Sequence, residues 1–176
     1  MTNQTGVMDR LAGSVRDLGQ HYAGGADVPL GGYLATMATY GTLVGALTAL
    51  ARATGRPVPA RMEPLDVLLS AAATHKLSRL LTKDPVTSPL RAPFASYEGT
   101  SGPAELADQP RGHGDRKTIG ELVTCPFCAE VWIGTGLTAG LIFLPRMTRL
   151  VTGTFAALAG ADALQYAHAW MAKKAS

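Results

Sequence analysis

Apolar and polar positions along this chain fall into long blocks whose lengths suit helices better than strands. No charged residue occurs between positions 28 and 51, and residues 33–51 (YLATMATYGTLVGALTALA) supply the apolar length that a bilayer-spanning helix needs. Arg52, Arg56, Pro57, Pro59 and Arg61 end that helix in a short basic turn. Over residues 64–82, Leu65, Leu68, Leu69 and Ala72 recur along one face at helical spacing behind a leading proline, which predicts a second helix. Lys76 and Arg79 continue that face. This helix therefore either lies in the membrane interface or spans and extends its cations to the head groups.

Pro85, Pro89, Pro93, Pro103 and Pro110, set among Gly, Ser and charges, mark residues 83–118 as a loop without sustained helix or strand, its tip at about 99–114 disordered. The apolar pattern resumes near Thr118, passes through Cys125-Pro126-Phe127-Cys128, and ends in the uncharged run 131–145. That run spans a bilayer only when counted back through Leu122, with Glu130 accommodated. After a turn over 145–149, a last helix carries Asp162 and ends in Trp170 and Lys173-Lys174, an aromatic-then-cation ending suited to a membrane surface. Gly41 with Gly45, and Gly136 with Gly140, offer close-packing faces at four-residue spacing. The pattern predicts an all-α integral membrane bundle of three or four helices, at about 32–52, 64–82, 119–145 and 149–172. A Pro/Gly-rich cytoplasmic loop (83–118) interrupts this membrane domain (31–172). A polar segment, 1–30, precedes it and offers at best a surface helix around 8–21, Met8 to His21.

Composition sharpens this picture. Of 176 residues, 47% are hydrophobic and 16% charged, fewer charges than a soluble domain carries. The net charge of +3 comes from scattered basic residues that form no stripe with interleaved aromatics, so nucleic acid is not an expected partner. Two cysteines do not make a disulfide-stapled secreted domain, and residues 1–30 lack the compact apolar run of a signal peptide. The positive-inside rule leans towards three spans with the second helix interfacial. Three- and four-span topologies agree on a bacterial inner-membrane protein with the 83–118 loop, the CPFC end and the carboxyl terminus in the reducing cytoplasm.

Several side chains invite chemistry. A Cys-x-x-Cys pair at a helix start favours thiolate, and can close to a disulfide or donate two soft ligands to a metal. CPFC is locally similar to a glutaredoxin tetrapeptide, but it opens an apolar helix instead of following a strand. No cofactor is expected. Zinc is the secondary option, for which Cys125 and Cys128 are half a site and His113, His75 or Glu121 would have to complete it. Asp162 and Glu130 are costly inside a membrane helix and call for partners, with Lys76 and Arg79 the nearest by pattern; His168 reads as an interfacial residue. Neither a nucleophile elbow nor an HExxH is present.

The run 75–91 (HKLSRLLTKDPVTSPLR), followed by 120–128 (GELVTCPFC) and Trp132, resembles the bacterial membrane proteins grouped as domain of unknown function 1360. The resemblance covers roughly residues 33–169. It implies a membrane protein in which Asp84, Arg91, Cys125 and Cys128 form a common constellation on the cytoplasmic side, and it brings no reaction with it. Ala129-Glu130 departs from the small or apolar pair expected there. Physically, Asp84 and Arg91 would brace the Pro-rich loop against the start of the CPFC helix by charge-assisted hydrogen bonds. The expected function is that of a structural or assembly component without catalytic activity, its partners the bilayer and other helices or copies of itself. The alternative is a membrane thiol oxidoreductase with Cys125 as nucleophile and Cys128 as resolving thiol. A third reading is a transporter or channel accessory subunit built around Asp162.

Overall fold

The residue before a proline avoids the helical region of backbone space, and three such steps divide this chain. Asp84 (φ −69°, ψ 137°) stops one helix before Pro85. Cys125 (φ −103°, ψ 112°) stops another before Pro126, and Leu144 (φ −136°, ψ 56°) a third before Pro145. The computed structural model describes residues 10, 13–14 and 17–175. Residues 17–23 are helical, while Met8, Asp9 and Arg16 of the expected surface helix lie outside the described residues.

The main elements are α1 (Leu30–Ala53), α2 (Pro64–Lys83), a 3-10 turn (Pro85–Thr87), α3 (Ser88–Arg91), β1 (Ala95–Gly102), β2 (Glu105–Pro110), α4 (Asp115–Thr124), α5 (Pro126–Phe143) and α6 (Pro145–Ala175). The fold is mostly helical, with one small sheet. Among the described residues two helices, α1 and α5, are long and apolar enough to cross a membrane.

Three expectations are corrected. The segment 83–118 is ordered, containing an antiparallel hairpin whose register runs from Ala95 opposite Pro110 to Gly102 opposite Glu105, with irregularities at Tyr97/Gly99 and Thr100/Gly102. Its prolines sit where they cost no ladder bond: Pro103 lies in the tight turn, beside Ala104 at φ 57°, and Pro110 ends β2. The helix expected over 119–145 is two helices, α4 and α5, because the CPFC motif is the break between them. The turn expected over 145–149 is helix from Pro145 onward, since proline is well suited to the first helical position.

Two parallel pairs of helices, antiparallel to each other, follow from the contacts. Asp66 meets Arg149 and Lys76 meets Asp162, so α2 and α6 run in the same direction. Tyr33 meets Glu121 at the end of α4, and Tyr40 stacks edge-on against Trp132, so α1 runs parallel to α5. The start of α2 shares a cleft with the end of α5, which sets the two pairs antiparallel. The α2 helix packs chiefly on α5 and α6, while α1 packs chiefly on α5 and α4. One end of the bundle carries the hairpin, α4 and the CPFC break; the opposite end carries the basic turn 54–63 and the α5–α6 junction.

The distribution of polarity is inverted relative to a water-soluble domain. Among the described residues the buried apolar side chains are Ala51, Ala73 and Ala95, whereas Ser78, Thr82, Thr118, Thr124, Thr148, Thr152 and Arg91 are buried. Leu34, Met37, Leu43, Leu50, Leu65, Leu68, Leu150, Leu158 and Leu164 face outward. Small and hydroxylic residues let the backbones approach closely, as Gly32 does against Thr118 and Gly140 against Thr148.

Candidate functional site

A buried arginine organises the hairpin end. Arg91 is 1% exposed; its Nε donates to Asp108 Oδ2 at 2.7 Å. Its Nη1 donates to the Leu81 carbonyl at 2.9 Å, the Asp84 carbonyl at 3.1 Å and Thr87 Oγ1 at 2.7 Å, and its Nη2 to the Asp84 carbonyl at 3.1 Å. One side chain thereby occupies the carbonyls left open where α2 ends and clamps them to β2. Asp108 is itself 7% exposed and hence nearly desolvated. Two more arginines extend the clamp: Arg111 Nη2 reaches the Ala92 carbonyl at 2.7 Å and Arg116 Nη2 the Pro93 carbonyl at 2.6 Å. Arg79 holds Glu105 through two bonds, 2.7 and 2.5 Å long.

Asp84 and Arg91 do come together, but through the Asp84 backbone. The Asp84 carboxylate instead accepts from the Val86 N–H at 2.8 Å and caps the 3-10 turn. The acidic partner of Arg91 is Asp108, and that of Arg79 is Glu105. Sequence reasoning missed both because it took their strand for loop. The available signal was Gly102-Pro103-Ala104, a turn sequence with extended-compatible stretches on either side.

The two cysteines sit apart from this cluster, in a groove of about 620 Å³ lined by Tyr33, Met37, Tyr40, Glu121, Val131 and Trp132. Both thiols are free, Cys125 half-buried and Cys128 exposed. Cys125 caps α5 by accepting the Cys128 N–H on Sγ at 3.3 Å. Beside them Tyr33 Oη donates to Glu121 Oε2 at 2.6 Å, and Tyr40 Oη pairs with Thr135 Oγ1 at 2.9 Å. His113 lies elsewhere, its Nδ1 2.9 Å from Asp27 Oδ2. Among the described residues no group of three or more His, Cys, Asp or Glu is placed to hold a metal ion.

A third cleft, about 480 Å³, lies between α2, α6 and the hairpin turn, lined by His75, Lys76, Arg79, Glu105, Asp162 and Tyr166. Lys76 Nζ donates to Asp162 Oδ2 at 2.6 Å. Glu130, half-buried on α5, takes no hydrogen bond or ion pair among the described residues, and Lys174 lies over the Trp170 ring at 4.0 Å.

The turn before α1 is tied to this end as well. Asp27 receives Lys117 Nζ on Oδ2 at 3.3 Å and on its carbonyl, in addition to His113. Hydrogen bonds from His113 and Lys117 hold its carboxyl below the usual carboxylate range. A depressed carboxyl contributes its tie above its ordinary pKa and loses it as pH falls through the folded value. Acidification is therefore expected to loosen residues 24–29, and Asp27→Asn to loosen them already at neutral pH. Amide exchange of this turn against pH measures both.

A family model described as a protein of unknown function (DUF1360) matches residues 68–168. Two proteins of Bacillus subtilis (strain 168) are similar to the chain. One is UPF0713 protein YngL, 29% identical over 109 residues, which is 59% of this chain and 78% of that protein. The other is sporulation protein YjcA, 35% identical over 71 residues, 39% of this chain and 60% of that protein. No solved structure matches.

Proposed function

We propose, for a chain that belongs to the DUF1360 family of proteins of unknown function, a small helical membrane protein that works as a structural or assembly component. In this reading α1, α2, α5 and α6 form the membrane bundle, and the hairpin with α4 forms a cytoplasmic cap. The observation that carries it is the inverted polarity: large apolar side chains cover the outside of the helices, while alanine, serine and threonine fill the inside. Exposed apolar area costs about 25 cal/mol per Å² in water and nothing comparable in lipid.

The threonines add a second support. Thr36, Thr39, Thr42 and Thr48 on α1 and Thr135 and Thr138 on α5 each donate to the carbonyl four residues back. Hydroxyls satisfied within their own helix can face hydrocarbon without an outside partner. The packing of α2 against both α5 and α6 favours four spans over an interfacial second helix. Gly41, Gly45 and Gly136 have open space around the position a Cβ would take, which suits a further helix from a partner or a second copy.

The assembly role is tested by crosslinking on the α1 face. Gly45→Leu is expected to leave monomer folding intact and to abolish a crosslinked species seen with the unaltered chain in native membranes. A single uncrosslinked species in both would remove the assembly reading.

A dithiol reading has one observation behind it: two free thiols joined through the cap of α5 and open to an aromatic groove. Oxidant treatment of membranes is expected to convert Cys125 and Cys128 to an intramolecular disulfide, read as loss of both maleimide sites. Thiols that stay fully labelled would make the pair a packing and capping element.

A further inference from the structure

At the end of the bundle opposite the hairpin lies a cleft of about 440 Å³ that the proposed function does not use. Its lining combines the apolar Val58, Leu141 and Ile142 with Arg56, Arg61 and Arg149. Arg149 is occupied: it holds Asp66 through Nε and Nη2, with bonds of 2.7 to 3.2 Å. Arg56 and Arg61 have no side-chain partner among the described residues, and the remaining carboxylate on the cleft is Glu63. Among the described residues five arginines gather at this end, Arg52, Arg56, Arg61, Arg146 and Arg149, and no lysine does; Lys76, Lys83, Lys117, Lys173 and Lys174 lie in the other half of the bundle.

We infer that this cleft binds the head group of an anionic phospholipid, its phosphate between Arg56 and Arg61 and the upper part of an acyl chain over Val58, Leu141 and Ile142. The inference rests on the membrane reading above. Charge selects the ligand class: two unpaired guanidinium groups in one cleft with apolar side chains complement a group that is anionic at one end and aliphatic at the other. Residue type points the same way. A guanidinium presents a planar fork that meets phosphate oxygens two at a time and desolvates more easily than an ammonium, which accounts for arginine alone at this end. Positive charge on the non-cytoplasmic side runs against the positive-inside tendency, and a fixed phosphate in the cleft offsets it.

Native mass spectrometry of the detergent-purified full chain tests this, with phosphatidylglycerol and phosphatidylcholine of identical acyl chains supplied together. Phosphatidylglycerol adducts are expected to dominate, and Arg56→Gln/Arg61→Gln to lower them about thirtyfold, at one surface-arginine contribution each. Arg56→Lys/Arg61→Lys should retain part of the preference, and Lys173→Gln/Lys174→Gln all of it. Helicity by circular dichroism confirms that the variants are folded. Adducts unchanged by both pairs of arginine substitutions, or equal adducts of the two lipids, would overturn the site. So would displacement of the lipid by millimolar inorganic phosphate alone, which would make the cleft a free-phosphate site. Failure of the membrane reading looks different: the chain would then stay soluble without detergent.

Discussion

Arg91→Leu is expected to destabilise the protein by about 3–5 kcal/mol, the usual range when one partner of a buried ion pair is removed. The substitution leaves the Asp108 carboxylate desolvated and unpaired. It also strips donors from the carbonyls of Leu81 and Asp84 and from Thr87 Oγ1. Because Arg91 joins the end of α2 to β2, the loss should localise: residues 84–112 become protease-sensitive before the helices unfold. Arg91→Lys keeps a charge but offers one nitrogen where the guanidinium uses three to reach Asp108 and the carbonyls at the end of α2, so it should recover only part of the stability. The double change Arg91→Leu/Asp108→Leu should be milder than Arg91→Leu alone, because no buried charge is then orphaned. Unfolding by denaturant in detergent, with limited proteolysis, measures all three. Equal stability of Arg91→Leu and the unaltered protein would refute the clamp.

Gly120→Val is expected to detach the hairpin from α4. A Cβ at this position would lie 2.6 Å from the Phe94 carbonyl oxygen and 3.2 Å from Pro110 Cα, both backbone atoms that cannot rotate away. Alanine already forces a shift, and valine should cost about 1–3 kcal/mol or more, the range for overpacking. The signature is a cap that becomes protease-sensitive while helix content is nearly kept. Gly45→Ala provides the contrast, since open space surrounds that position and alanine favours helix. Its folding stability should be unchanged or slightly raised.

The helices were legible because periodicity and length are properties of single segments. Apolar continuity over 28–51 and the proline-led repeat from Leu65 predicted α1 and α2 to within a few residues of their observed ends. The hairpin was not legible, because its stability comes from elsewhere: Arg91, Arg79 and the backbone approach at Gly120 fix a segment whose own composition reads as punctuation. The break at Cys125-Pro126 was written in the proline but masked by the apolar residues on both sides. Side-chain pairing was partly legible. Lys76 and Arg79 stood out as cations on an apolar face, and Lys76 meets Asp162, yet Arg79 turns to Glu105 on a strand that the pattern did not reveal. The constellation expected around Arg91 lacks the cysteines, which share a groove with Tyr33 and Trp132 instead.

The proposed bundle crosses the membrane with the hairpin on one side and the basic turn on the other. Single cysteines at Ser101, in the hairpin, and Val58, in the opposite turn, placed in a Cys125→Ser/Cys128→Ser chain, test it directly with a membrane-impermeant maleimide. Labelling at Ser101 only in inverted bacterial membrane vesicles, and at Val58 only in intact spheroplasts, is the predicted result. Labelling of both positions from the same side would contradict it.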